Sequence, residues 1–160
     1  MDTVTQSADR ALYEADEHAW IARQIDALRS GRLETLDRDT LVEYLTEMTI
    51  RDRRELKSRL AVLLQHLLKV RVQPAKFSRS WVLAIIHQQQ HVRDILRGIP
   101  SLVLHAREML EEAYADAVHL AAAETSIPLK TFPAESPWTI EAALAFVASD
   151  PSAKRKAAKR

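Results

Sequence analysis

The stretch Thr40–Arg71, TLVEYLTEMTIRDRRELKSRLAVLLQHLLKVR, contains neither glycine nor proline, and it decides how the rest of the chain can fold. Its composition predicts one very long helix, because both residues that commonly break helices are absent. The helix should begin at Asp37 or at Thr40, which has the spacing of a capping box with Glu43. At about 1.5 Å per residue it would measure about 45–50 Å, which exceeds the usual diameter of so small a domain. We therefore expect one end to project or to meet another subunit.

The long helix carries two apolar rows that are out of phase with each other. The first row consists of Leu41, Leu45 and Met48, and the second of Leu56, Leu60, Leu63, Leu67 and Val70. Between them, the segment Arg51–Glu55 is polar on every face, so we expect the helix to bend there or to change packing partners. One hypothesis is an interface that fixes the register between subunits, formed by Arg51, Asp52, Arg54 and Glu55. A solvated stretch of helix explains this segment equally well.

The remaining segments predict shorter helices. Apolar spacing places the first over Ala8–Ser30, the third over Trp81–Arg97 and the fourth over Leu102–Thr125. Gly31 should close the first of these in a left-handed conformation. After an irregular, proline-containing segment, Thr139 should cap a last short helix. The expected fold is therefore all-α: an up-and-down helical bundle of about four main helices, one of them very long, plus a short C-terminal helix.

Composition and charge exclude several classes of protein. Two glycines among 160 residues argue against an all-β fold, and the absence of cysteine excludes disulfides and thiolate chemistry. Basic residues concentrate in 150–160, which we expect to be a disordered basic tail, whereas residues 1–149 should form a single, mildly acidic helical-bundle domain. The mildly acidic charge of this domain argues against nucleic acid as a partner. The chain shows neither a signal core nor an apolar run of membrane-spanning length, which predicts a cytoplasmic protein without a membrane partner.

The turn after the long helix is a candidate binding site. Its polar residues lie where a helix begins, and free backbone amides at such a place can hold a phosphate or another small anion. They are Lys76, Ser78, Arg79 and Ser80, followed by the aromatic Trp81. The simpler interpretation, which we favour, is that a serine caps the helix while the tryptophan anchors it.

Arg59 and His66 are a candidate catalytic pair. They lie seven residues apart and therefore share one face of the long helix. Their spacing is similar to the Arg-to-His motif of the helical HEPN ribonucleases, in which arginine could stabilise phosphorane charge and histidine could move protons. Leu60 stands where that motif has a polar residue, and a histidine beside leucines is more often a packing residue. We therefore favour a structural role for the pair.

Histidines elsewhere in the chain are candidate metal ligands. His87 and His91 have a helical spacing that can chelate a metal, and Asp116 shares a face with His119. Two ligands do not complete a zinc site, however, and a solvated face explains the first pair better. Gln89, between those two histidines, is the one polar member of the inner row of its helix. The sequence predicts neither a metal nor a cofactor.

Several stretches of the chain resemble the bacterial family called domain of unknown function 29. In chain order these are YEADEHAW, SGRLETLD, RELKSRLAVLLQHLLKVRVQP with the following SRSW, AYADAVHLAAAET and LKTFPAESPWT. The resemblance covers about Tyr13–Leu144, and its most distinctive part is Gln73-Pro74 followed by Ser78–Trp81. It implies an all-helical, oligomeric bacterial protein without an established activity. It supplies no catalytic residues.

No motif in this chain identifies its function. The sequence best supports a non-enzymatic, cytoplasmic protein-interaction module that self-associates through the long helix, with a dimer as the expected homo-oligomer. An unidentified protein partner is compatible with the same interpretation. The alternatives are a metal-independent, HEPN-like ribonuclease that uses Arg59 and His66, and a module that binds an anion or small ligand at the SRSW turn.

Overall fold

The computed structural model describes residues 2–148, with side chains from Ala8 onward, so the predicted basic tail at 150–160 lies outside the described residues. The described chain is all-α, as predicted, with no strand. Its α-helices are α1 (Asp2–Ala15), α2 (Glu17–Arg29), α3 (Arg38–Val72), α4 (Arg79–Gly98), α5 (Leu102–Glu108), α6 (Leu110–Thr125) and α7 (Ile140–Ala145). Among these helices, none combines the length and the apolar composition needed to cross a bilayer.

The chain divides into two compact units between Arg51 and Asp52, inside the 35-residue helix α3. Within the described residues, the first unit comprises 2–51 and the second 52–148. The boundary falls in the charged segment Arg51–Glu55, where the phase shift between the two apolar rows predicts a change of packing partners. The assignment of residues 1–149 to one domain stays a prediction.

The first predicted helix, Ala8–Ser30, is wrong in one respect, because it is two helices. The backbone leaves the helical conformation at Asp16, where φ is −152° and ψ is 87°. The carboxylate of Asp16 then accepts a hydrogen bond of 3.0 Å from the backbone N–H of Ala19 and so caps α2. With the chain broken there, α1 can pack on α2, and the Arg23 guanidinium lies 2.8 Å from the buried Asp9 carboxylate.

The turn between α2 and α3 ends one helix and caps the next. Gly31, with φ of +71°, is the left-handed residue predicted after α2. The cap of α3 is Asp37, whose Oδ1 accepts a hydrogen bond of 3.3 Å from the backbone N–H of Thr40. The capping box of Thr40 with Glu43 is not formed, because the Glu43 carboxylate pairs with Arg10 of α1 instead.

A buried polar network around Asp37 holds the first unit together. The indole N–H of Trp20 donates to Asp37 Oδ2 at 3.3 Å, and the backbone N–H of Asp37 donates to Gln24 Oε1 at 3.0 Å. The Trp20 ring also packs edge-on against Tyr44, with the ring centroids 5.6 Å apart. Since Trp20, Gln24 and Asp37 are all buried, each depends on its hydrogen-bond partners.

The second unit has the apolar core that the second row of α3 predicts. The four leucines of that row are fully buried, and they meet a row of buried alanines from α6: Ala113, Ala117 and Ala121. The fourth predicted helix, Leu102–Thr125, is interrupted at Met109, which ends α5 and precedes α6. Thr139 caps α7 as predicted, because its hydroxyl accepts from the backbone N–H of Ala142 at 3.1 Å.

Gln89 of α4 forms hydrogen bonds with backbone carbonyl groups at the C-terminal end of α7. Its Nε2 donates to the carbonyl oxygens of Ala143 at 3.0 Å and Phe146 at 2.8 Å, and Arg93 donates to that of Leu144. The last carbonyls of a helix have no partner within the helix itself. A polar residue in the inner row of α4 therefore supplies donors that the short helix α7 lacks.

We predict that Asp37→Ala destabilises the protein by about 2 kcal/mol, because it removes a helix cap and leaves the buried Trp20 N–H without an acceptor. Urea unfolding followed by circular dichroism measures this change. Asp39→Ala, an exposed carboxylate in the same turn of α3, is the matched control and should change stability by less than about 0.5 kcal/mol. Equal effects of the two substitutions would contradict the network.

We also predict that Gln89→Leu destabilises the protein by about 1–3 kcal/mol, since the Ala143 and Phe146 carbonyls at the end of α7 lose their donor. Gln90→Leu, next to it but exposed, should be close to neutral. Urea unfolding of both variants, with limited proteolysis to detect release of α7, compares them. If Gln89→Leu were the more stable of the two, the assigned role of Gln89 would be wrong.

Candidate functional site

The SRSW turn is occupied by its own packing contacts. Ser78 caps α4 by accepting from the backbone N–H of Trp81 at 3.4 Å, and its hydroxyl lies 2.8 Å from that of Ser80. The Trp81 ring is half-buried, whereas Lys76 and Arg79 are exposed. These contacts match the capping interpretation. Anion binding by the two exposed cations stays a prediction.

Lys69, which sequence reasoning missed, anchors this turn. Its ammonium is buried, lies 4.5 Å from the centroid of the Trp81 ring and forms an ion pair with Glu124. The hydrogen bond from Lys69 is the main reason why the pKa of Glu124 is lower than usual, and Gln65 also donates to this carboxylate at 2.7 Å. The one available signal was that Gln65 and Lys69 lie one turn apart on α3.

The proposed catalytic pair is engaged within α3 itself. His66 is half-buried, and its Nδ1 lies 2.9 Å from the carbonyl oxygen of Val62, which requires that nitrogen to donate. Arg59 lies 3.5 Å from the carboxylate of Glu55, one turn earlier. Each side chain thus has a local partner. The catalytic role of the pair stays a prediction.

The paired histidines of α4 lie on its exposed side. His87 and His91 are both exposed, as the preferred interpretation of the sequence expects. Within the part of the chain that the structure describes, no three His, Asp or Glu side chains are grouped as metal ligands would be.

A groove of about 570 Å³ runs along α3 and α6 in the second unit. Its lining comprises Arg54, Lys57, Ser58, Ala61 and Val62 from α3, with Asp116, His119 and Leu120 from α6. Lys57 lies 3.2 Å from the Glu112 carboxylate and 3.3 Å from that of Asp116, and these two hydrogen bonds raise its pKa. Lys57 is therefore already paired with two carboxylates. The arrangement supports packing of α6 on α3 rather than acid–base chemistry.

The first unit exposes an unusual amount of apolar surface. Among its described hydrophobic side chains, only Trp20 and Ala27 are buried. Its exposed large hydrophobic residues are Ile25, Leu28, Leu33, Val42, Leu45, Met48 and Ile50. Leu45 and Met48 of the first apolar row of α3 are among them, with Leu45 at 57% exposure, whereas Leu41 of that row is half-buried. The first unit therefore exposes more large hydrophobic side chains than it buries.

Most of the first row is exposed because another face of α3 packs in the first unit. Thr40 is buried and Tyr44 is half-buried against Trp20, so the packing face runs through these two residues. Leu41 and Leu45 each follow a residue of that face by one position, which places them about 100° around the helix. The sequence identified the row. It did not show that polar Thr40 belongs to the interior.

The predicted interface residues of the charged segment have different surroundings. Arg51 is exposed, Asp52 is half-buried, Arg54 lines the groove and Glu55 lies near Arg59. Their role between subunits stays a prediction.

Comparison with known proteins identifies the family of this chain. A family model described as "Domain of unknown function DUF29" matches residues 12–147. That range includes every stretch that suggested the resemblance. Searches of curated proteins and of solved structures returned no match. The chain therefore belongs to the family called domain of unknown function DUF29.

Proposed function

We propose that this protein is a non-enzymatic, cytoplasmic interaction module that self-associates through the exposed apolar row of α3. The observation that carries the proposal is the imbalance in the first unit, which buries few hydrophobic side chains and exposes many. A unit of about 50 residues has little core to begin with, and here its interior is largely polar. Covering the row with a second apolar surface would supply the missing burial.

The row has the chemistry of a helix-pairing surface. Leu41, Leu45 and Met48 recur at intervals of four and three residues, which is the spacing of a seam between two helices. Burying one leucine side chain contributes about 1.5–3 kcal/mol. A few such side chains from each of two copies therefore suffice for a dimer of moderate affinity.

A second copy of the chain is the partner that fits this row. The row is apolar throughout, so the same row of a second copy can cover it and be covered in turn. Each copy then buries the same side chains, so every buried leucine counts in both copies.

We predict that the protein dimerises at micromolar concentration and that Leu45→Glu makes it monomeric. Both copies would lose a buried leucine, about 3 kcal/mol in total, so the dissociation constant should rise roughly a hundredfold. Size-exclusion chromatography with light scattering over a concentration series measures the mass.

Ile50→Glu is the matched control, because Ile50 is also exposed but lies about 140° around α3 from Leu45. It should leave the dimer intact, and circular dichroism should show unchanged helix content for both variants. A parent protein that stays monomeric up to about 100 µM would rule out the proposed function, as would equal effects of the two substitutions.

A further inference from the structure

The helices α2 and α3 lie antiparallel against each other within the first unit. Gln24 contacts Asp37 and Trp20 contacts Tyr44, so the contacts move towards the start of α2 as they advance along α3. Where two antiparallel helices face each other, residues at equal angles from their contact lie on the same side of the pair. Equal spacings in α2 and α3 therefore bring side chains to the same side.

The two helices repeat one pattern at an interval of 20 residues. Trp20 and Thr40 are both buried. Two exposed hydrophobic residues follow each of them at the same spacings, five and eight residues later, which correspond to about 140° and about 80° around the helix. These residues are Ile25 and Leu28 on α2, and Leu45 and Met48 on α3.

The helix α1 lies on the other side of the α2–α3 pair. Arg23 and Glu43 each follow the buried residue of their helix by three positions, which is about 60° in the opposite sense. Arg23 pairs with Asp9 and Glu43 pairs with Arg10, and these two partners are adjacent on α1. The four exposed hydrophobic residues therefore lie together on the side that α1 does not cover, which we call the open face.

Resting on the self-association proposed above, we infer that a second copy docks on both helices of the open face and not on α3 alone. The open face of one copy then lies against the open face of the other, so the contact contains two helices from each copy. Ile25 and Leu28 become interface residues, although they lie outside the row of α3. An identical apolar face is complementary because neither surface buries an unpaired charge.

The area of the open face supports the inclusion of α2. A half-exposed side chain of leucine size presents on the order of 60 Å² of apolar surface. Leu45 and Met48 of two copies would therefore bury about 250 Å², whereas a specific dimer of about 1,200 Å² contains about 700 Å² of apolar area. Ile25 and Leu28 double the buried apolar area to about 500 Å². The two-helix face thus supplies most of the required area, and the row of α3 alone does not.

Substitution on α2 tests the inference, because the proposed function by itself does not involve that helix. We expect Ile25→Glu to weaken the dimer by at least about tenfold, since both copies lose an apolar contact and gain a charge there. Ala19→Glu is the matched control, because Ala19 is exposed on α2 but lies about 120° around the helix from Ile25. It should leave the dissociation constant unchanged. Light-scattering dilution series measure the constants, and circular dichroism checks the helix content.

Thiol labelling gives a second readout that introduces no charge, and the chain contains no cysteine of its own. The single variants Ile25→Cys, Leu45→Cys and Ala19→Cys are labelled at concentrations above and below the dissociation constant. We expect the first two thiols to be protected in the dimer and to react after dilution. The third should react equally at both concentrations, because it lies outside the open face.

The two experiments separate this inference from the proposed function. If Leu45→Cys is protected in the dimer but Ile25→Cys is not, and Ile25→Glu leaves the dimer intact, the copies meet through α3 alone. The inference is then wrong, while self-association stands. A monomeric parent protein overturns both, and protection of both thiols in that monomer would mean that another part of the chain covers the open face.

Discussion

In an uninterrupted helix, each apolar row has a fixed position around the helix axis, because the backbone has no point at which it can turn. In α3 this constraint applies over 35 residues without glycine or proline. One row ends at Met48, and a second, out of phase with the first, begins at Leu56. No single packing surface can cover both rows. The division of the chain between Arg51 and Asp52 follows from this phase difference.

The two units stabilise their parts of α3 by different kinds of interaction. In the second unit, leucines of α3 meet small alanines of α6, so burial of apolar surface stabilises the packing. In the first unit, the interior is centred on Asp37, whose carboxylate and amide are bonded to Trp20, Thr40 and Gln24. A polar interior of this kind is specific but contributes little net free energy. It therefore leaves apolar surface available for a partner.

The parts of this fold that could be predicted from the sequence are those decided locally. Gly31 and Thr139 have the roles predicted for them, since a left-handed turn and a helix cap depend on a few neighbouring residues. The break at Asp16 was missed because helix-favouring residues continue on both sides, and only the capping bond to Ala19 distinguishes that carboxylate from a surface one.

Features decided by distant contacts were less visible in the sequence. Lys69 is buried because Glu124 and Trp81 surround its ammonium, and both are remote in sequence. Gln89 stood out as a polar residue in an apolar row, but its function depends on α7, whose last carbonyls it binds. Of the candidate sites, the row around Leu45 was recognisable as a pattern, whereas its exposure depended on Thr40 and Tyr44 forming the packing face instead.

This structure favours interaction over chemistry because its candidate catalytic groups already have partners. The buried or half-buried candidates for chemistry are already bonded: His66 to a backbone carbonyl, Lys57 to two carboxylates and Lys69 to Glu124. Activating any of them would first require breaking these contacts. The row around Leu45 requires no such rearrangement, since Leu45 and Met48 already face solvent on a formed helix. We therefore expect a second apolar surface that covers this row to gain free energy without breaking any existing contact.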